Sequence, residues 1–138
     1  MKIVICNVPL RSKKLKTAHP PLGVLAIIQS LRSAGYAADF YDINFFRPSD
    51  EEIEDYFSKN RFDIVGISAT VSTSYRTVKR LASIIKSALP KTVTIVGGAL
   101  TASSEIILKF AHVDFCVVGE GERVIVNLAD YIASHGLV

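Results

Sequence analysis

The sequence predicts an α/β domain in which one doubly wound, five-stranded parallel sheet lies between two helical layers, a three-layer αβα sandwich. Three observations carry this expectation. Short apolar, β-rich blocks recur along the chain. Each is followed by a segment with apolar residues at three-to-four spacing, the period of an amphipathic helix. Most of the blocks are apolar throughout, as strands buried on both faces are, and a parallel pair needs the crossover that an intervening helix supplies. With 138 residues, 49% of them hydrophobic, the chain can build one core and reads as one domain over residues 1–138.

The first strand is expected over residues 3–8 (Ile-Val-Ile-Cys-Asn-Val), ended by Pro9. Residues 11–19 carry Arg11, Lys13, Lys14 and Lys16 without helical period, which suits a solvated loop or a cover for a ligand or partner domain. Pro20-Pro21 supplies a fixed φ at a helix start, Leu22, Leu25, Ala26, Ile28 and Leu31 make the apolar stripe, and Gly35 offers a left-handed cap. Residues 38–43 alternate apolar with acidic side chains, so this second strand is expected at an edge. Pro48-Ser49-Asp50-Glu51-Glu52 then puts acids where the helix dipole favours them and opens a helix to about Lys59.

Residues 63–68 read as the third strand, followed after Thr70 to Ser74 by a long helix whose stripe is Val78, Leu81, Ala82, Ile84, Ile85 and Leu89, stopped by Pro90. Residues 93–96 form the fourth strand, 102–110 a short helix, 114–118 the fifth strand, and 122 to about 134 the last helix. Right-handed crossovers make the flavodoxin-like strand order 2-1-3-4-5 the expected topology.

Several functional classes fall away on composition and motif. A net charge of +3 is far from the basic stripe of a nucleic-acid binder, so no nucleic acid partner is expected. No apolar run approaches a membrane span, and the first residues enter a strand without a signal-peptide pattern, so the expected setting is cytoplasmic, away from membranes. Cys6 and Cys116 stand far apart inside strand-like runs and read as reduced core residues. Neither Gly-x-Gly-x-x-Gly nor Gly-x-x-x-x-Gly-Lys-Ser/Thr follows the first strand, against nicotinamide dinucleotides and nucleoside triphosphates. The lack of a Ser/His/Asp or Cys/His set suggests that this chain alone is not an enzyme. A phosphorylation receiver would need acids where Asn7 and Ser68 stand.

In such a sheet a ligand sits beyond the carboxyl ends of the strands, where the strand order reverses. The relevant loops begin at Pro9, Asn44, Ser68, Gly97 and Gly119. Gly97-Gly98 either lets a bulky group lie against bare backbone or makes a tight turn needing positive φ. The hydroxyls from Ser68 to Ser74 can bind a ligand or cap the long helix. Gly119-Glu120-Gly121-Glu122 can be simply a turn whose acid suits a helix start.

Pro20-Pro21-Leu22-Gly23, Asp63 to Ser68, Ile95-Val96-Gly97-Gly98 and Val118-Gly119-Glu120-Gly121-Glu122 occur together in order. In this combination the chain resembles the N-terminal cobalamin (B12)-binding domain of B12-dependent radical SAM proteins, over nearly its whole length. The resemblance implies a module that positions a corrinoid for a methyltransferase-like radical SAM catalytic domain, from whose longer chain this domain would be excised. By the resemblance that parent would also use S-adenosylmethionine and a [4Fe-4S] cluster, held outside this chain, in which no Cys-x-x-x-Cys-x-x-Cys occurs to hold one.

By the same resemblance the corrin ring would cross the C-terminal edge of the sheet. Gly97, Gly98 and Ala99 would make room for the nucleotide tail, Ser68 and Thr70 would meet it with hydroxyls, and Val71, Ser72 and Thr73 would approach the lower face of the ring. Gly119, Glu120 and Gly121 would lie at the ring edge, with Pro9 and Leu10 opposite. B12 domains that ligate cobalt use Asp-x-His-x-x-Gly after the first strand; here Thr17-Ala18-His19-Pro20-Pro21-Leu22-Gly23 lacks the orienting Asp and sets Gly one place late, so no protein metal ligand is expected. Two alternatives remain. One is a flavodoxin-like domain for flavin mononucleotide, for which Ser12 and Thr17 are the only phosphate-loop hydroxyls; the other is a degenerate domain that only docks against its partner domain.

Overall fold

The computed structural model describes residues 1–9, 21–69 and 74–136. The basic run 11–16, His19, and the candidate residues Leu10, Thr70, Val71, Ser72 and Thr73 lie outside them. The strands are β1 (Lys2–Asn7), β2 (Ala37–Tyr41), β3 (Ile64–Ser68), β4 (Val93–Gly97) and β5 (Phe115–Val117). They pair in parallel in the order β2-β1-β3-β4-β5, the topology expected from the sequence. The β-branched cores of β1, β3 and β4 are buried on both faces, whereas β2 runs along one edge with part of its side chains in water.

The helices are α1 (Leu22–Ser33), α2 (Ile43–Phe46), α3 (Asp50–Lys59), α4 (Tyr75–Ala88), α5 (Ser104–Phe110) and α6 (Glu122–His135). Strand alternation divides the core in two. On one face Ile3, Ile5, Ile64 and Ile95 pack with Val24, Ile28 and Leu31 of α1 and Ile125, Ala129 and Ile132 of α6. On the other, Val4, Cys6, Val65, Ile67 and Val96 pack with Phe57 of α3, Val78 and Ile85 of α4 and Ile107 of α5. Tyr41, Tyr56, Phe57 and Phe62 close this second face through stacked and edge-to-face rings.

Two local departures from the sequence reading have clear causes. The second strand stops at Tyr41 instead of reaching 43, because Asp42 caps α2 by accepting from Phe45 N at 3.0 Å and also accepts from Asn7 Nδ2 at 2.8 Å. Residues 99–103 form a 3-10 turn before α5, so the short helix begins a turn earlier than expected and in a tighter form. The acidic start of α3 behaves as the sequence suggests: Ser49 and Glu52 form a reciprocal capping box. At the amino-terminal end of the sheet, Asp114 accepts from Lys86 Nζ at 2.6 Å and from Thr94 N at 2.8 Å, tying α4 and β4 to the start of β5.

Burial pushes the phenols of Tyr41 and Tyr56 up to about 12, with the charge that Cys6 would carry as a thiolate as a second cause. Burial also raises the Cys6 thiol. The folded state therefore favours the protonated forms. Their contribution is complete below the unfolded-state values, near 9 for the thiol and 10 for the phenols, and is lost as pH climbs toward the folded-state values. Denaturant titrations should show a flat unfolding free energy from pH 7 to about 8.5 and a decline above about 9. Tyr41→Phe should make that decline shallower between about pH 10 and 12; an unchanged slope would show that the tyrosine is not responsible.

Candidate functional site

The parallel register aligns two rows of residues on the α1/α6 face. In the deeper row Ile5 lies beside Gly66 and Gly66 beside Ile95; in the row nearer the carboxyl edge Asn7, Ser68, Gly97 and Val117 stand side by side. Both rows contain glycine where a side chain would otherwise fill the space between sheet and helices. The result is a cleft of about 280 Å³ at the carboxyl end of the sheet. Ile5, Gly66, Ile95 and Val117 form its floor, and Gly23, Val24 and Ile27 of α1 and Ile125 of α6 form its walls. Its rim carries Ser68, Gly97, Gly98, Gly119, Glu120, Gly121 and Glu122.

The glycines do different work. A Cβ on Gly66 would lie 2.6 Å from Ile5 Cδ1, so its absence lets the isoleucine lie flat across β3 instead of rising into the cleft. Gly121 brings α6 close to α1, since a Cβ there would be 3.0 Å from Ile27 Cδ1. Gly98 has φ +99° and a Cβ would fall 2.4 Å from the carbonyl oxygen of Ala69. That carbonyl accepts from Leu100 N at 3.0 Å, and Ala69 N donates to Gly97 O at 2.9 Å, zipping the ends of β3 and β4 together. Gly97 has no atom within 4 Å of a would-be Cβ and faces open space. The two readings of the glycine pair therefore divide between its members: Gly98 makes the tight turn, and Gly97 presents bare backbone to the cleft.

Of the sequence candidates within the described residues, Ser68, Gly97, Gly98, Gly119, Glu120 and Gly121 are brought together at one opening. Ala99 starts the 3-10 turn, exposed, and is not part of the lining. Pro9 lies in a separate depression with Ile43, Arg47 and Leu81, on the α3/α4 side. Ser74 occupies the N-cap position of α4 but makes no capping bond; its hydroxyl is buried without a hydrogen-bond partner among the described residues. The sequence reading missed the floor and walls. Gly66 was their one legible signal, because a glycine inside an otherwise β-branched strand marks a close approach.

Electrostatically the cleft is graded. Its depth is aliphatic, while two carboxylates, a half-buried hydroxyl and backbone groups of four glycines surround the mouth. Glu122 sits in the first turn of α6, where the helix dipole favours an acid. Such a site suits a flat apolar group inserted into the cleft and attached to a larger polar body outside it.

Residues 11–129 match the B12 binding domain family. The chain belongs to that family. This B12-binding domain is also 30% identical, over 98% of its length, to the anaerobic magnesium-protoporphyrin IX monomethyl ester cyclase of Synechocystis sp., of which it spans 28%. In fold it matches the radical S-adenosylmethionine methyltransferase TsrM from Kitasatospora setae, solved with cobalamin and a [4Fe-4S] cluster, with a TM-score of 0.80 at 17% identity over 97% of this chain and 27% of that one. A cobalamin-binding protein from Desulfitobacterium hafniense DCB-2 matches with a TM-score of 0.70 at 15% identity, over 94% of this chain and 57% of that one. The domain thus spans between a quarter and a third of the cyclase and the methyltransferase.

The split between the two glycines is directly testable. Gly98→Ala should cost about 2 kcal/mol or more of stability, because it combines an unfavourable φ with a backbone clash. Gly97→Ala should change stability by less than about 1 kcal/mol. Equal effects in chemical denaturation would show that both positions serve the turn.

Proposed function

We propose that this domain holds cobalamin at the carboxyl edge of its sheet, with the nucleotide tail in the cleft between α1 and α6 and the corrin ring across the rim. The observation that carries this reading is the glycine-opened, aliphatic cleft at the position where the strand order reverses. At about 280 Å³ it is too small to enclose the whole cofactor but suits its tail. The residues present fit the group: side chains are missing at Gly66 and Gly97, where bulk would block entry, and polar groups stand only at the mouth.

In this arrangement Ile5, Ile95, Val117, Val24 and Ile125 supply apolar contact and exclude water, which provides most of the affinity. Ser68 and Thr70 fix orientation through their hydroxyls, and Gly97 with Gly98 admits the tail against the backbone. Gly119, Glu120 and Gly121 at the rim meet the edge of the ring. Cobalamin, when bound, supplies a cobalt centre that can carry a methyl group or assist a radical reaction.

The family membership and the multidomain proteins it matches support a parent chain in which this domain serves a radical SAM catalytic domain, with S-adenosylmethionine and a [4Fe-4S] cluster held there. The domain positions its cofactor, and a methyltransferase-like partner performs the reaction. Among the described residues no helix is long and apolar enough to cross a membrane. Together with the modest charge of +3, this supports a cytoplasmic domain without nucleic acid or membrane partners.

Titration of the chain with hydroxocobalamin should give a saturable change in corrinoid absorbance. Gly97→Leu should weaken it by at least about tenfold with unchanged far-UV circular dichroism, because the new side chain occupies the cleft without a backbone clash. His19→Ala should leave the bound spectrum unaltered. No corrinoid response, with flavin mononucleotide bound instead, would overturn the proposal.

A further inference from the structure

We infer that the cleft selects the lower base of its corrinoid, accepting a benzimidazole and discriminating against a purine. This rests on the cobalamin reading above and deepens it.

Among the described residues, the depth of the cleft offers nothing to a polar edge. Its floor and walls are Ile5, Ile95, Val117, Val24, Ile27 and Ile125, none of which carries a side-chain donor or acceptor. The backbone cannot substitute, because β1, β3 and β4 pair in parallel through Ile5, Gly66 and Ile95 and use their amides and carbonyls within the sheet. The polar groups stand elsewhere. Ser68 lies one row nearer the carboxyl edge, and Glu120 and Glu122 belong to the β5–α6 connection at the rim.

A dimethylbenzimidazole meets this environment with an apolar edge bearing methyl groups. An adenine of similar outline meets it with an exocyclic amine and ring nitrogens, which would leave water without finding partners. The shapes are alike, so discrimination comes from unsatisfied hydrogen bonds rather than from exclusion. A hydrophobic site that must reject a near-isostere with added polar groups typically does so by about tenfold to a hundredfold.

The test compares three corrinoids on the same chain by calorimetric titration: cobalamin, its adenine-bearing analogue and cobinamide, which lacks the nucleotide. Cobalamin should bind about ten to a hundred times more tightly than the adenine analogue. Cobinamide should be weaker than cobalamin, since it leaves the cleft empty. Val117→Thr, nearly isosteric and monitored by circular dichroism, should reduce the cobalamin-to-adenine ratio by placing a hydroxyl on the floor. Equal affinity for cobalamin and the adenine analogue, with corrinoid binding retained, would overturn the selection and leave the cofactor reading standing; so would a ratio that does not fall in Val117→Thr. No binding of any of the three would remove the cofactor reading itself.

Discussion

A parallel sheet covered by helices on both faces has no natural place for a ligand except where its crossovers part. The rest of this structure depends on how the register of β1, β3 and β4 exploits that opening. Ile5, Gly66 and Ile95 fall in one row, and Ser68, Gly97 and Val117 in the next. Alternation aims these residues at the same side of the sheet, so a missing side chain in each of two successive rows deepens one cleft instead of making two shallow dents. A slip of one residue in β3 would bring Val65 or Ile67 to this face and close it.

The opposite face shows what the same sheet does without that concession. There Cys6, Phe57, Val65, Val78 and Val96 are fully buried, and the Tyr41–Tyr56 stack seals the edge. The clasp of Lys86, Thr94 and Asp114 lies at the amino-terminal end of the sheet. The aromatic seal and the clasp thus lie away from the cleft, which occupies the other face at the other end of the sheet. Proteins commonly place binding surfaces away from their most protected cores, because a site kept open forgoes packing that the core requires.

Topology was legible from the sequence because four of the strands are apolar blocks and the longer helices are periodic, and right-handed crossovers leave few ways to connect them. The rim was legible too: Ser68, Gly97, Gly119 and Glu120 are small or polar residues at strand ends. The interior of the cleft was not. Ile5, Ile95 and Val117 are indistinguishable in sequence from ordinary core residues, and only three-dimensional register shows that they face Gly66. Pro9 shows the complementary error: it follows the end of β1, where strand parity no longer dictates its direction, and it turns toward α3 and α4. The four-residue helix α2 is too short for any period to announce it; Asp42 caps it locally and is itself held by Asn7 at the end of β1.

The separation of apolar depth from polar mouth also bears on orientation. A macrocycle fringed with amides carries many N–H donors, while Glu120 and Glu122 offer only acceptors when ionised. Those carboxylates sit beside the start of α6, across the opening from α1. A ligand entering with its polar body first would strand its donors against Ile5 and Ile95 and leave both acids facing its apolar end. Entry by the apolar end satisfies both regions at once. The gradient between the two rows of the sheet thus favours entry by the apolar end.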